Sequence, residues 1–355
     1  MLQRGVRMRH CILLLFLSLS IYSELRAQHD IDSLAQLGVC TPHGFTIPSI
    51  LGLPRSKGLE VFQERIPNYD LNSQFTETDS SFNNAIRRTK SWSARLRIPV
   101  VNKDDFKFIV GFKYYQQEFA FEQPVLEGNP FHSSIEDKPL RSMGLSLYSV
   151  HSFIGNKYLA FRGTLRLNGD FETGTIRSHQ KTSFTGLYGI KQHRYKTWGF
   201  GVSYSNSFGR SSVYPVFFLK HRYRPKWAVE LLLPLSARLL YRPNEKNNLY
   251  VETKLEGDNY NINLDGFSEI PLYLEKADVK AMFTYEREVY DFFWISASGG
   301  YRWNINFDVS DSDTFFDRAF NLGNSANLAI SNAIGGAPFF RFGIFIVPPN
   351  KWMEN

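Results

Sequence analysis

From Phe293 onward, alternate positions read Phe293, Ile295, Ala297, Gly299, Tyr301, Trp303, Ile305 and Phe307, and the set between them is Phe292, Trp294, Ser296, Ser298, Gly300, Arg302, Asn304 and Asn306. Neighbouring side chains on a strand point to opposite faces, so this segment has one oily face and one mostly polar face. It is longer than the about 5–6 residues of an ordinary strand and long enough for the about 9–11 that cross an outer membrane.

The pattern recurs along the chain. Trp92, Ala94, Leu96, Ile98 and Val100 share a face opposite Ser91, Ser93, Arg95 and Arg97, and after Asn102-Lys103-Asp104 the set Phe106, Phe108, Val110, Phe112 and Tyr114 opposes Lys107, Gly111 and Lys113. Two matched strands joined by a polar turn form an up-and-down hairpin. Further strands are marked by Met143–Leu147, Leu159–Leu167, Phe184–Ile190, Trp198–Tyr204, Trp227–Leu233, Ala237–Tyr241, Leu249–Leu255, Ala277–Tyr285 and Phe340–Ile346, while Val213–His221 is apolar on both faces. Long connectors are expected at 67–88, 123–140, 170–182, 258–272 and 308–336, alternating with short ones. Outer-membrane barrels have long outward loops and short periplasmic turns. The expected fold is therefore all-β, a transmembrane antiparallel up-and-down β-barrel. A bend at Pro234 gives about 14 strands, and a single kinked strand there gives about 12.

The ends support export. Arg4, Arg7 and Arg9 precede the short apolar stretch Cys11–Ile21, and Leu25-Arg26-Ala27 fits a cleavage site, so residues 1–27 read as a signal peptide. Residues 28–57, with Pro42, Pro48 and Pro54, read as a periplasmic lead or barrel-mouth segment, 58–347 as the barrel and 348–355 as a tail. Losing the signal leaves Cys40 without a partner for an internal disulfide. Beyond the signal there is no apolar run of about 20 residues, which excludes helical spans. Charged residues at 21% with aromatics at 15% suit an oily band, aromatic girdles and a polar interior. The net charge of +7 is not gathered into a basic reading module, so no nucleic-acid partner is expected. The expected location is the outer membrane, with its lipids and the barrel-assembly machinery as partners.

Four stretches carry a resemblance. They are Glu136-Asp137-Lys138 with Leu140–Leu145; Leu165–Asp170; Trp198–Gly201 leading to Phe208-Gly209-Arg210 and Tyr214-Pro215-Val216; and Tyr285–Glu288 running into Tyr301–Phe307. Over roughly Gly58 to Val347 the chain resembles an uncharacterised family of Gram-negative outer-membrane β-barrel proteins, a domain of unknown function. The resemblance implies the architecture and the location, and it transfers no activity and no site residue.

Catalysis finds little footing in the sequence. His151 and Ser152 are strand neighbours on opposite faces and form no dyad; His193 and His221 fall in or beside short turns. The histidine and Ser-Asn-Gly pattern of outer-membrane phospholipases is lacking, so neither an enzyme nor a cofactor is expected. Asp308, Asp311, Asp313 and Asp317 fall in the longest expected loop, where a solvated acidic loop is preferred to a calcium site. The informative residues are those expected to face inward: Arg95, Arg97, Lys107, Lys113, Arg162, Arg166, Glu252, Lys254, Glu256, Lys276, Asp278, Lys280, Glu286 and Arg302. Such a mostly basic interior fits either a charge-laced, filled lumen or a narrow path of mild anion preference. The functional expectation is a passive conduit for small solutes of unspecified kind. The alternative is a closed structural or interaction barrel displaying its outward loops, and a lipid-modifying enzyme ranks last.

Overall fold

The computed structural model describes residues 57–347 apart from 77–78, 104, 124–128, 137, 154, 173–174, 194, 265–271, 291 and 312–327. The expected signal peptide, nearly all of the lead segment, Cys40 and the tail lie outside the described residues. The strand segments are β1 (Leu59–Ile66), β2 (Tyr69–Phe75), β3 (Ser81–Asn102), β4 (Phe106–Phe121), β5 (Leu140–Ser152), β6 (Lys157–Gly169), β7 (Gln180–His193) and β8 (Lys196–Ser205). They continue as β9 (Ser212–Arg224), β10 (Trp227–Leu233), β11 (Ser236–Asn244), β12 (Asn247–Ile262), β13 (Leu272–Tyr290), β14 (Phe293–Ser310), β15 (Leu328–Ile334) and β16 (Ala337–Ile346).

Sequential neighbours pair antiparallel, and β1 returns to β16 from Leu59↔Ile346 to Arg65↔Phe340. β1 and β2 both pair with β3, so they are one wall strand broken at Pro67-Asn68; β15 and β16, both paired with β14, are another, broken at Gly335-Gly336. The result is a closed antiparallel barrel of 14 strands. Closure gives every wall strand a partner on both sides, so none is left as an edge strand to recruit another chain.

Alternation places Ile98, Phe112, Phe161, Phe184, Val251, Phe283 and Phe342 outward and exposed, the last at 67%. An apolar belt this continuous belongs against lipid. Aromatic pairs flank it, such as Trp92 with Tyr114 (4.6 Å between rings) and Trp227 with Tyr241 (4.5 Å).

Toward the outer end the polarity of the wall inverts. In β4 the outward set changes from Phe106–Tyr114 to Gln116 and Glu118, while the inward set changes from Lys107 and Lys113 to the buried Phe119 and Phe121. In β14 a bulge at Ile305 shifts the register, pairing Ala277 with Asn306 and Asp278 with Asn304. One inserted residue reverses the faces, so Phe307, expected outward with Ile305, is buried inward. The outer ends of the longest strands thus enclose a dry core of Phe119, Phe121, Phe131, Leu274, Phe307 and Phe339 with their neighbours. The helix Pro130–Ile135, capped by Asn129 (Phe131 N to Asn129 Oδ1, 3.0 Å), is sunk into it as a stopper. Each buried phenylalanine contributes about 1.5–3 kcal/mol.

Three expected loops are corrected by this dome. Segment 67–88 holds β2 and the start of β3, 258–272 holds the end of β12, and 308–336 holds the end of β14 and all of β15. Tyr69, Leu71, Ser73 and Phe75 do alternate with Asp70, Asn72 and Gln74, but their polar set faces water, which reads as a loop when an oily outside is sought. Asp308 accordingly lies in β14, where its Oδ1 accepts from Asn332 N at 2.9 Å, and Asp313 and Asp317 lie outside the described residues.

On the opposite side the wall is low. β10 has seven residues and β11 nine, joined by Pro234-Leu235 alone. β9 continues past its last β10 partner, Phe217, and β12 past its last β11 partner, Lys254. The connection 206–211 crosses the resulting notch. Gly257 gives its backbone room, since a Cβ there would strike the Ser207 carbonyl, and Gly209, at φ +83°, packs on the Lys276 backbone. The tip of β6 also reaches β12 at Gly169↔Asn261, tied by Asn263 N to Asp170 Oδ2 at 2.7 Å.

Candidate functional site

Beneath the dome lies a cavity of about 360 Å³ bounded by the inner faces of both halves of the wall. On one side the charges are paired. Glu64 on β1, 1% exposed, accepts from Lys280 Nζ at 2.6 Å and from Arg341 Nη2 at 2.5 Å and Nε at 3.0 Å. Glu256 adds Lys280 at 2.9 Å and Lys254 at 2.6 Å, so two carboxylates hold three cations beside the seam where first and last strands meet. Asp278 stands 3.4 Å from Lys276 and 3.5 Å from Arg302.

Side-chain contacts cross the bore, among them two that involve cavity cations. Lys276 on β13 donates to Gln117 Oε1 on β4 at 2.6 Å, and Arg166 on β6 pairs with Asp258 on β12. Lower down, Arg238 bridges Glu252 (2.8 Å) and Glu230 (3.7 Å), and Glu286 takes Lys57 (2.7 Å) and the Tyr250 hydroxyl (2.6 Å).

The stretch of wall from β3 to β6, which adjoins β1, is different. Arg97 on β3, Lys113 on β4 and Arg162 on β6 point into the cavity, and among the described residues none has a carboxylate within ion-pair distance. Arg95 beside them has Glu60 at 3.6 Å. Arg162 is exposed to the bore and its guanidinium carbon sits 5.1 Å over the Tyr148 ring; Lys113 Nζ sits 5.3 Å over Tyr115. Hydroxyls fill the wall between, with Ser146 to Thr164 at 3.0 Å and Thr185 to Ser203 at 2.9 Å.

Of the residues singled out from sequence, Arg95, Arg97, Lys113, Arg162, Arg166, Lys254, Glu256, Lys276, Asp278 and Lys280 border this cavity. Lys107, Glu252 and Arg302 stand outside it; Arg302 is fully buried, 4.2 Å over the Tyr69 ring. Glu60, Glu64, Asp258 and Arg341 belong with these groups but were not among the residues expected from sequence. Arg341 interleaves with Phe340 and Phe342, so its inward aim follows from the same alternation. Glu60 and Glu64 sit on β1, whose outward face (Val61, Gln63, Arg65) is too polar to show a period.

One constellation resembles hydrolase machinery. In the dome, Ser73 Oγ lies 3.4 Å from His132 Nε2, and Asn84 Nδ2 lies 3.0 Å from His132 Nδ1. The Asn84 amide is oriented by its oxygen, which accepts from Ala85 N (2.8 Å) and Gln123 N (3.2 Å). Its NH₂ therefore donates to Nδ1, which leaves the proton on Nε2, and Ser73 gives its own proton to Asn332 Oδ1 at 2.5 Å. A base must hold a free lone pair toward its nucleophile. His132 presents a proton to Ser73 instead, and it is 0% exposed with its pKa pushed down to about 4 by burial. The trio is a structural network. Among the described residues no His, Cys, Asp and Glu group is arranged to hold a metal ion, and His151, on the outer face near the periplasmic turn, packs edge-on against Phe153 at 4.7 Å.

A closed antiparallel wall, oily outside in its lower part and ion-lined within, is a transmembrane β-barrel. Residues 67–343 match the family described as "Domain of unknown function (DUF6268)", and the chain belongs to that family. Among solved structures it is similar to an outer-membrane channel from Pseudomonas putida F1 at 8% identity, covering 82% of this chain and 96% of that one with a TM-score of 0.39. It is also similar to a Pseudomonas aeruginosa FadL homologue (8% identity, 82% and 91% covered, TM-score 0.44). A third likeness is to the translocator domain of the autotransporter NalP from Neisseria meningitidis (11% identity, 83% and 90% covered, TM-score 0.28). No curated protein matches the chain in sequence.

Proposed function

We propose that the protein is an integral outer-membrane barrel that conducts small solutes, and that the arrangement described is its shut state. The observation that carries this reading is the cavity at mid-barrel, lined by charge and hydroxyls and wet enough to leave Arg162 exposed. A barrel built only to hold loops has no use for uncompensated cations inside its wall, where each costs desolvation. Lys276–Gln117 and Arg166–Asp258 tie opposite walls across the bore, and ties of this kind are what a gate would release. The oily belt meets outer-membrane lipid, and export with insertion by the barrel-assembly machinery brings the chain there.

Planar-bilayer recording of the refolded full chain tests the reading. Discrete conductance steps are expected, rare in the wild type and frequent in an Arg166→Gln variant that loses its cross-bore partner. A flat current from both proteins, each shown folded by heat-modifiable gel migration, would refute it. One observation favours a second reading: the dome seals the outer end with a dry core, as befits a closed barrel whose working surface faces outward. The flat-current result is the outcome that this reading predicts.

A further inference from the structure

We propose that Arg97, Lys113 and Arg162 bind one small dianionic oxyanion of the phosphate type inside the barrel. The inference deepens the conduit reading by naming a solute class, and it shares with that reading the requirement that the bore admit solutes.

The first support is charge. The cavity is bordered by nine Lys and Arg side chains against four carboxylates. Those four carboxylates, Glu64, Glu256, Asp258 and Asp278, are all engaged by cations other than the trio. The surplus is therefore localised on one stretch of wall, β3 to β6, which begins at the strand paired with Glu64's own β1. Like charges gathered in a confined, weakly screened space repel one another, and a bound anion relieves all three at once. A dianion matches the surplus better than chloride, and forked guanidinium groups pair with oxygens of an oxyanion rather than with a spherical ion.

The second support is shape. Arg97 pairs in register with Gly111, Lys113 with Gly144, and Arg162 with Tyr148, so the trio occupies consecutive rows on the inner face. The two glycines let neighbouring side chains lie flat on the wall, Arg166 over Gly144, where an added Cβ would come within 2.7 Å of its Cγ, and Tyr148 over Gly111. The Tyr148 ring lies over Gly111, where an added Cβ would come within 3.2 Å of its Cε2, and it carries the Arg162 guanidinium on its face. The ring thus acts as a shelf that holds the Arg162 guanidinium over the row of Gly111 and Ser146. Ser146 and Thr164, 3.0 Å apart at its edge, supply hydroxyl donors. A cavity of about 360 Å³ leaves room for the anion and part of its hydration shell.

The test is calorimetric titration of the detergent-solubilised full chain with inorganic phosphate, at a pH well above its second pKa of about 6. One phosphate per chain is expected, with sulfate comparable and chloride much weaker. Arg97→Gln, Lys113→Gln and Arg162→Gln should each weaken phosphate by about tenfold or more, whereas Arg88→Gln, exposed on the outer surface, should change nothing. Heat-modifiable migration establishes that each variant is folded before titration. The inference is overturned if the wild type binds no phosphate, if folded Arg162→Gln and Lys113→Gln bind as the wild type does, or if only a short-chain phosphatidate binds, which would assign the site to a lipid headgroup. Phosphate binding without conductance removes the conduit reading alone, and conductance without phosphate binding removes this inference alone.

Discussion

Glu64 is where the barrel can be loosened with one atom's worth of chemistry. Its carboxylate, 1% exposed, holds Lys280 at 2.6 Å and Arg341 at 2.5 Å, and it sits opposite Arg341 in the β1–β16 register that closes the wall. Glu64→Gln keeps the volume and removes the charge. Breaking a buried pair by deleting one partner costs about 3–5 kcal/mol, because the other charge is left without compensation. Glu256 remains at 2.9 Å from Lys280 and 3.7 Å from Arg341, and it absorbs part of that loss. The expected destabilisation is therefore at the lower end, about 3 kcal/mol. A second variant, Glu64→Leu with Arg341→Met, removes both partners and leaves Lys280 with Glu256; it should lie closer to the wild type than Glu64→Gln does. Equilibrium urea unfolding in lipid vesicles, followed by tryptophan fluorescence, measures both. A Glu64→Gln protein within about 0.5 kcal/mol of the wild type, or a double variant less stable than the single, would mean that the Glu64 charge is not what holds this seam.

Three further outcomes follow from the wall. Phe112→Arg, on the outward face at mid-span, should cost about 2–4 kcal/mol in the same assay, while Lys113→Arg one residue away should be close to neutral. Phe119→Ala, at 0% exposure in the dome, should cost about 3–5 kcal/mol, and a loss below about 1 kcal/mol would mean the dome is not packed. His132 titrates near 4 when folded and near about 6.5 when unfolded, so between those values the unfolded chain holds the extra proton and stability falls as pH falls. The full effect, about 3 kcal/mol, should be present below pH 4 and absent from His132→Gln, as read from unfolding midpoints across that range.

The membrane section of the fold was legible because lipid outside and water inside force opposite chemistries onto alternate residues. Trp92–Val100 and Phe106–Tyr114 carry that signal without interruption, and so does the inward aim of Arg95, Arg97 and Lys113. Legibility failed where the surroundings changed. At Phe119 and Phe121 the dry side is the interior, so a search for an oily outside passes over real strand, and β2 was lost the same way. The bulge at Ile305 shifts the face of Phe307 by one position, a geometric event with no compositional mark. Val213–His221 looked ambiguous because Val213 and Phe217 meet lipid while Val216 and Phe218 pack in an apolar patch on the bore side. The candidate site was half visible. Alternation yields which bases point inward, but separating Arg166, paired with Asp258 some ninety positions away, from Arg162, which has no carboxylate partner among the described residues, requires the closed wall.

The inversion of polarity along a single strand is the most direct test of this architecture. Single cysteines at every position from Phe106 to Phe121, spin-labelled in the refolded protein in vesicles, report contact with lipid-soluble oxygen and with a water-soluble nickel reagent. Oxygen contact is expected at 106, 108, 110, 112 and 114, then nickel contact at 116 and 118, with neither reagent reaching 119 and 121. Oxygen contact that keeps its even-numbered rhythm to the end of the strand, or labels at 119 and 121 open to nickel, would contradict it.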